Sequence, residues 1–134
     1  MNDLAFSADG NFVLAASGVT GLRGEAVLWN LKTGRPELTF SEGHRDILYG
    51  AAFSPDDRLV ATAGYDQCIQ LWDRQTGKHL RTLKGHNGPV HGIVFSPDGT
   101  VLASAGGDAA VKLWHVTSGQ RLSLIHISEP TRPY

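Results

Sequence analysis

The chain has 134 residues, a one-domain length, with 12 Lys and Arg against 13 Asp and Glu for a formal net charge of −1. That balance gives no signal for nucleic acid or an anionic membrane surface, and no apolar run reaches the length of a membrane-spanning helix. Cys68 is the only cysteine, so an internal disulfide is impossible and the redox compartment stays open. The N-terminus carries no charged region followed by an apolar core; the expectation is no signal peptide, with a cytoplasmic location by default and no compartment assigned.

In chain order, the first stretch holds Phe6-Ser7-Ala8-Asp9-Gly10, a strand ending in Val27-Leu28-Trp29, and a further short strand at Leu38-Thr39-Phe40. Gly18, Gly21 and Gly24 fall between its second and third runs. A phosphate cradle would need a helix after these glycines, and here a strand follows. They are read as a longer loop of the kind that can contact a partner at a rim. The second stretch opens on Gly43-His44, continues through Phe53-Ser54-Pro55-Asp56, closes on Trp72-Asp73 and adds a strand at Leu80-Leu83. The third repeats this as Gly85-His86, Phe95-Ser96-Pro97-Asp98 and Trp114-His115, each 42 residues after its counterpart. Trp29 precedes Trp72 by 43 residues, but Phe6 precedes Phe53 by 47, so the first copy carries extra residues at its glycine run.

Within the third copy, Val90, Ile93 and Phe95 form a short apolar run closed by Ser-Pro-Asp-Gly. Pro97 presets a turn and Gly99 permits positive φ there. Val101 to Ser104 is a second run, ended by Gly106-Gly107, and Val111 to Trp114 alternates apolar and polar residues. A fourth run follows each Trp across a Thr-Gly or Ser-Gly turn. Short strands at this spacing predict an all-β fold, and no helical period is sustained.

A period near 42 with a Gly-His opening and a Trp close resembles the WD-repeat β-propeller family. The Trp-Asp dipeptide is kept at Trp72-Asp73 and replaced by Trp29-Asn30 and Trp114-His115. The resemblance implies an incomplete β-propeller of about three four-stranded antiparallel blades, with repeats at about 1–40, 43–83 and 85–121. Since a propeller needs roughly 4–8 blades to close, the expectation is a fragment of a larger WD-repeat protein. Met1 aligns with Val90, in mid-strand, and is read as an internal codon taken as a start, or the first residue after a contig break. Residues 122–134 are read as a non-native tail, because Leu122 to Arg132 looks like the conceptual translation of a sequencing-library adapter.

His86, Ser104 and Asp108 could be taken for a catalytic triad. The same set recurs as His44, Thr62 and Asp66, whereas a catalytic centre is needed once, and no nucleophile elbow surrounds either hydroxyl. The resemblance implies a structural role instead: a buried hydrogen-bond chain from Trp72 through Thr62 and His44 to Asp66, and from Trp114 through Ser104 and His86 to Asp108. Ala15 and Arg23 stand at the matching places of the first copy, so the chain is not expected to form there in the same way, with Glu25 the candidate substitute for the Asp. No catalytic residue, cofactor or metal site is read, since no His, Cys and Asp cluster has ligand spacing.

The resemblance also implies a protein- or peptide-binding module whose partner loops carry Ile47, Tyr49 and Tyr65 in one repeat and Pro89, His91 and Gly107 in the next. The alternative is the propeller portion of an enzyme or cofactor-binding protein whose active site lies elsewhere; small, apolar inner strands (Tyr49 to Ala52, His91 to Val94) argue against it. Uncovered apolar blade faces are expected to favour self-association.

Overall fold

A computed structural model describes residues 3–19, 23–40 and 44–126. They form three four-stranded antiparallel sheets and no helix. The first sheet takes β1 (Asp3–Phe6), β2 (Phe12–Val19), β3 (Arg23–Asn30) and β4 (Arg35–Phe40) in chain order. The second takes β5 (Leu48–Phe53), β6 (Leu59–Gly64), β7 (Cys68–Asp73) and β8 (His79–Lys84). The third takes β9 (Val90–Phe95), β10 (Val101–Gly106), β11 (Ala110–His115) and β12 (Arg121–His126). The first strands of successive sheets, β1, β5 and β9, lie side by side, so these are three blades of an open, all-β propeller.

The last strand runs past the residue at which the repeat was expected to end. Residues 122–126, read as the start of a tail, pair with β11, with Ile125 opposite Val111 and Leu124 opposite Lys112. The edge of β11 offers unpaired backbone groups to the extended chain that follows it. The rest of that tail, 127–134, lies outside the described residues, as does Met1.

Each blade uses the same two turn devices. After the first strand, the Ser54 hydroxyl donates to Asp56 (2.6 Å) and accepts from the Leu59 N–H (3.0 Å), while Asp56 accepts from the Arg58 N–H (3.1 Å). Ser7 with Asp9 and Ser96 with Asp98 repeat this arrangement. The Ser96 hydroxyl, then the Thr100 N–H and hydroxyl, hold the Asp98 carboxyl down at about 2. After the third strand, the residue following the Trp accepts the N–H groups of the next turn. Asp73 accepts from Gln75 and Thr76, Asn30 from Lys32 and Thr33, and His115 Nδ1 from Ser118. Three different side chains therefore do one job, which explains why the Trp-Asp dipeptide survives in only one copy.

The core lies between blades. Leu14, Ala26, Leu28 and Phe40 of the first blade pack on Leu48, Val60 and Trp72 of the second. Ala61, Ile69, Leu71 and Leu83 from the opposite face of the second blade pack on Val90, Leu102, Phe95 and Trp114 of the third. The middle blade thus buries both faces, with Trp72 1% exposed, while Trp29 on the outer face of the first blade is 37% exposed. Polar contacts bridge the blades at their margins. Asp57 accepts from Ala8 N–H, and Arg81 donates to the Thr117 and Ser118 carbonyls.

The glycine run of the first blade has a packing reason. β2 and β3 extend to Val19 and Arg23, and a Cβ on Gly18 would come within 2.8 Å of the Ile47 Cα. A Cβ on Gly24 would strike the Asp46 carbonyl oxygen and come within 2.9 Å of Leu48 Cγ. Residues 20–22 of the expected loop lie outside the described residues, but its flanks are strand pressed against the next blade. Gly24→Ala should therefore cost about 1–3 kcal/mol, the range for overpacking, read as a lower urea midpoint with an unchanged m-value; an unchanged midpoint would mean the blades can part at no cost.

Candidate functional site

Two constellations stand out, one buried and one exposed. In the second blade, the Trp72 indole N–H donates to the Thr62 Oγ1 (2.9 Å), which lies 2.6 Å from His44 Nε2. His44 Nδ1 lies 2.9 Å from Asp66 Oδ2. One proton arrangement satisfies all of it: Nδ1–H donates to the carboxylate, and Nε2 accepts from the hydroxyl, whose oxygen accepts from the indole. The third blade repeats the chain. Trp114 Nε1 lies 2.9 Å from Ser104 Oγ, Ser104 Oγ 2.7 Å from His86 Nε2, and His86 Nδ1 3.1 Å from both Asp108 oxygens. Thr62 and Ser104 are buried and committed to an indole, so neither hydroxyl is placed to meet a substrate.

Asp66 and Asp108 sit in turns and also accept backbone N–H groups, from Arg45 and Cys68 in one blade and Asn87 in the other. Burial pushes both carboxyls up. For Asp66, the hydrogen bond from His44 and the two N–H groups outweigh it and hold the carboxyl below its ordinary value. For Asp108, the Asn87 N–H, His86 and the Lys112 ammonium bring it to about 2.

The third blade adds a member that the sequence reading did not select. Lys112 is 3% exposed; its Nζ donates to the Gly85 carbonyl and lies 3.8 Å from Asp108 Oδ2. At the matching place in the second blade, Gln70 accepts from Thr82 (2.6 Å) and pairs with His79 Nε2 (2.5 Å), whose ring stands edge-on to Trp72 at 5.1 Å. The available signal was a polar residue two places before each of these Trp residues, on the face that alternation assigns to the core. In the first blade Val27 holds that place, and Ala15 lies opposite it.

The exposed constellation lies on the loop side that carries Asp66 and Asp108. Tyr49 meets Tyr65 edge-on at 6.4 Å and His91 at 5.3 Å, across the junction of the second and third blades. Tyr65 is 49% exposed, His91 is exposed and Tyr49 half-buried. Gly107 and Pro89 continue the patch: the Gly107 N–H donates to the Pro89 carbonyl (2.7 Å), and a Cβ on Gly107 would sit 3.4 Å from His91 Nε2. The Tyr65 N–H donates to the Ile47 carbonyl in the same way (3.0 Å). Ile47 lies at the far edge, against Gly18 of the first blade. Five of the six residues expected at a partner surface are thus contiguous, and Ile47 stands at their border. Among the described residues no group of three or more His, Cys, Asp or Glu side chains is gathered to hold a metal ion.

A family model described as "WD domain, G-beta repeat" matches residues 34–73 and 77–115. Among curated proteins, the chain is 41% identical over 56 residues to Ribosome assembly protein 4 of Saccharomyces cerevisiae, covering 41% of this chain and 11% of that protein. It is 43% identical over 54 residues to the probable E3 ubiquitin ligase complex SCF subunit sconB of Arthroderma benhamiae, covering 40% and 8%. It is 33% identical over 74 residues to human WD repeat and SOCS box-containing protein 1, covering 54% and 17%. The chain therefore spans less than a fifth of these relatives. Among solved structures, the RRP9 WD40 repeats superpose with a TM-score of 0.84 at 24% identity, over 92% of this chain and 37% of that one. The structure of U3-55K superposes equally well, at 23% identity.

Thr62→Val removes the hydroxyl and leaves the Trp72 indole N–H and His44 Nε2 without their partner. Losing a buried partner costs about 1–3 kcal/mol, so urea unfolding should show that loss, and Thr62→Ser should restore most of it; equal stabilities would take Thr62 out of the chain. The lowered carboxyls set an acid limit. An unfolded Asp titrates near about 3.9, above the folded Asp108 at about 2, so the folded state binds fewer protons between those values. Its stabilisation is complete above about pH 5 and lost as pH falls towards 2. Asp108→Asn should flatten the stability–pH curve below pH 5, measured by urea midpoints; an unchanged slope would mean that Asp108 does not report folding.

Proposed function

The chain belongs to the WD-repeat family, and on that premise we propose that it is a protein-binding module whose contact surface is the loop face built by Tyr49, Tyr65, Pro89, His91 and Gly107, bordered by Ile47. The carrying observation is the ring cluster of Tyr65, Tyr49 and His91, exposed at Tyr65 and His91, half-buried at Tyr49 and continuous across two blades. Aromatic side chains of this kind are the usual anchors of protein interfaces, because they supply large contact area with few rotamers to freeze. The chain's own repeats add an argument. The buried fasteners match from blade to blade, His44 with His86 and Asp66 with Asp108. The loop positions do not: Ile47 answers to Pro89, Tyr49 to His91 and Tyr65 to Gly107.

The relatives named as a ribosome assembly protein and as a subunit of a ubiquitin ligase complex favour a protein or peptide partner. The rival reading, a portion of an enzyme, gains nothing from Ser104 and Thr62, which are buried and already engaged. The near-balanced charge favours neither nucleic acid nor a membrane surface.

The test compares proteins retained from the source lysate by the native chain, by a Tyr65→Ala, His91→Ala variant, and by Arg58→Ala on the opposite loop side. Both aromatic residues are exposed, so the fold should persist, checked by far-UV circular dichroism. Loss of anchors worth about 2 kcal/mol or more should weaken retention at least roughly tenfold, while Arg58→Ala retains its partners. Retention by the double variant equal to that of the native chain would overturn the assignment of this face.

A further inference from the structure

The turn after the first strand departs from its own pattern twice, once in each of two neighbouring blades. The third blade has Ser96-Pro97-Asp98-Gly99. The second has Ser54-Pro55-Asp56-Asp57, with Asp in place of the glycine, and the first has Ser7-Ala8-Asp9-Gly10, with Ala in place of the proline. Gly10 and Gly99 take left-handed backbone angles, φ +74 and +76, and Asp57 takes the same kind of angle, φ +60. A residue with a Cβ is disfavoured there, so Asp57 is held against its local preference.

The contacts that hold it reach into the first blade. The Asp57 carboxylate accepts the N–H groups of Ala8 (2.9 Å) and Asp9 (3.3 Å), two consecutive donors of the first blade's turn. The Asp57 carbonyl accepts from Arg74 Nε (2.6 Å), whose guanidinium lies over the Phe12 ring of the first blade at 4.8 Å. The junction of the second and third blades is built differently. Pro55 stands where Ala8 stands and has no N–H to give. Gly99 stands where Asp57 stands, and a Cβ on it would lie 3.5 Å from Pro55 Cδ. Leu59 and Val116 take the places of Phe12 and Arg74.

We propose that Ala8 and Asp57 form a latch that specifies the junction of the first and second blades. The missing proline frees a donor in one blade, and the missing glycine supplies the carboxylate that accepts it from the next. The two departures are thus one feature. The apolar cores do not tell the junctions apart, since Leu28 meets Trp72 in one as Leu71 meets Trp114 in the other. The turns do. A second blade set on a neighbour with a proline turn leaves Asp57 in its strained conformation without the Ala8 donor. A third blade set on the first leaves the Ala8 N–H facing Gly99, which has no side chain to accept it. Each exchange is thereby disfavoured, which is how a choice between similar partners is made. The latch is independent of the loop-face reading.

The test is a double-mutant cycle with Ala8→Pro and Asp57→Gly, read by urea unfolding. Both fit the backbone, since proline and glycine hold these places in the other turns. Ala8→Pro should lower the urea midpoint more in the native chain than in the Asp57→Gly background, where no carboxylate is left to lose its donor. Equal shifts in the two backgrounds would overturn the latch. Amide hydrogen exchange by NMR reads the same contact without a proline or glycine variant. Ala8, Asp9 and Asp56 are all exposed. The Ala8 and Asp9 amides should nevertheless exchange more slowly than the Asp56 amide, their counterpart at the junction with Gly99. Asp57→Asn, which tolerates the left-handed backbone and keeps one acceptor oxygen, should protect one of the two amides and not both. Exchange at Ala8 and Asp9 as fast as at Asp56 in the native chain, or full protection of both in Asp57→Asn, would equally overturn it.

Discussion

A four-stranded sheet with apolar side chains on both faces cannot bury either face by itself. Every other feature of this chain depends on that constraint. The two cores lie between blades, and only the middle blade, flanked on both sides, buries both faces. Alternation along a strand sends neighbouring residues to opposite faces, so the flanking blades expose complementary sets. The first buries Leu28 and exposes Trp29; the third buries Trp114 and leaves Leu113 half-exposed. Identical sequence patterns therefore have opposite burial at the two ends, an outcome set by neighbours and not by the pattern itself.

The polar chains follow from the same constraint. A Trp driven into an inter-blade core takes its indole N–H with it, and a buried donor must be met. Thr62 and Ser104 meet it, His44 and His86 accept from those hydroxyls, and Asp66 and Asp108 fix the imidazoles from the loop. Each chain thus ties a loop to an inner part of its blade. In the first blade, Trp29 points to the uncovered face and Ala15 supplies no hydroxyl, so the indole stands outside such an arrangement. The loop face above the two complete chains is held by them, which gives Tyr49, Tyr65 and His91 a fixed platform without asking those side chains to support the blade.

Much of this was legible in order of residues. A fixed interval between Gly-His, Ser-Pro-Asp and Trp located the sheets, because each has a set place in the blade: the His in the buried hydrogen-bond chain, the Ser and Asp in a capped turn, the Trp at the end of the third strand. The repetition of His, hydroxyl and Asp separated fasteners from a catalytic set. A fourth strand after the Ser118-Gly119 turn was expected from the repeat; its continuation to His126 was not legible, since it depends on the open edge of β11 and not on any motif. Lys112 was legible only as a polar residue two places before Trp114 on the core face; a lysine in an alternating strand otherwise reads as solvated, and the fold is what brings it to Gly85 and Asp108. The glycine run read as a loop, while Gly18 and Gly24 serve a close approach of two blades.

The sequence by itself determined the blade: its four strands, its turns and the partners within its hydrogen-bond chain, all encoded by local chemistry and by short-range spacing. Tertiary structure alone decided which face of each blade is covered, which loop residues become neighbours and where a lysine can be buried. The physical reason is that burial and side-chain contact across blades join residues about one repeat apart. Those distances are set by the stacking of sheets and by no pattern within any one of them.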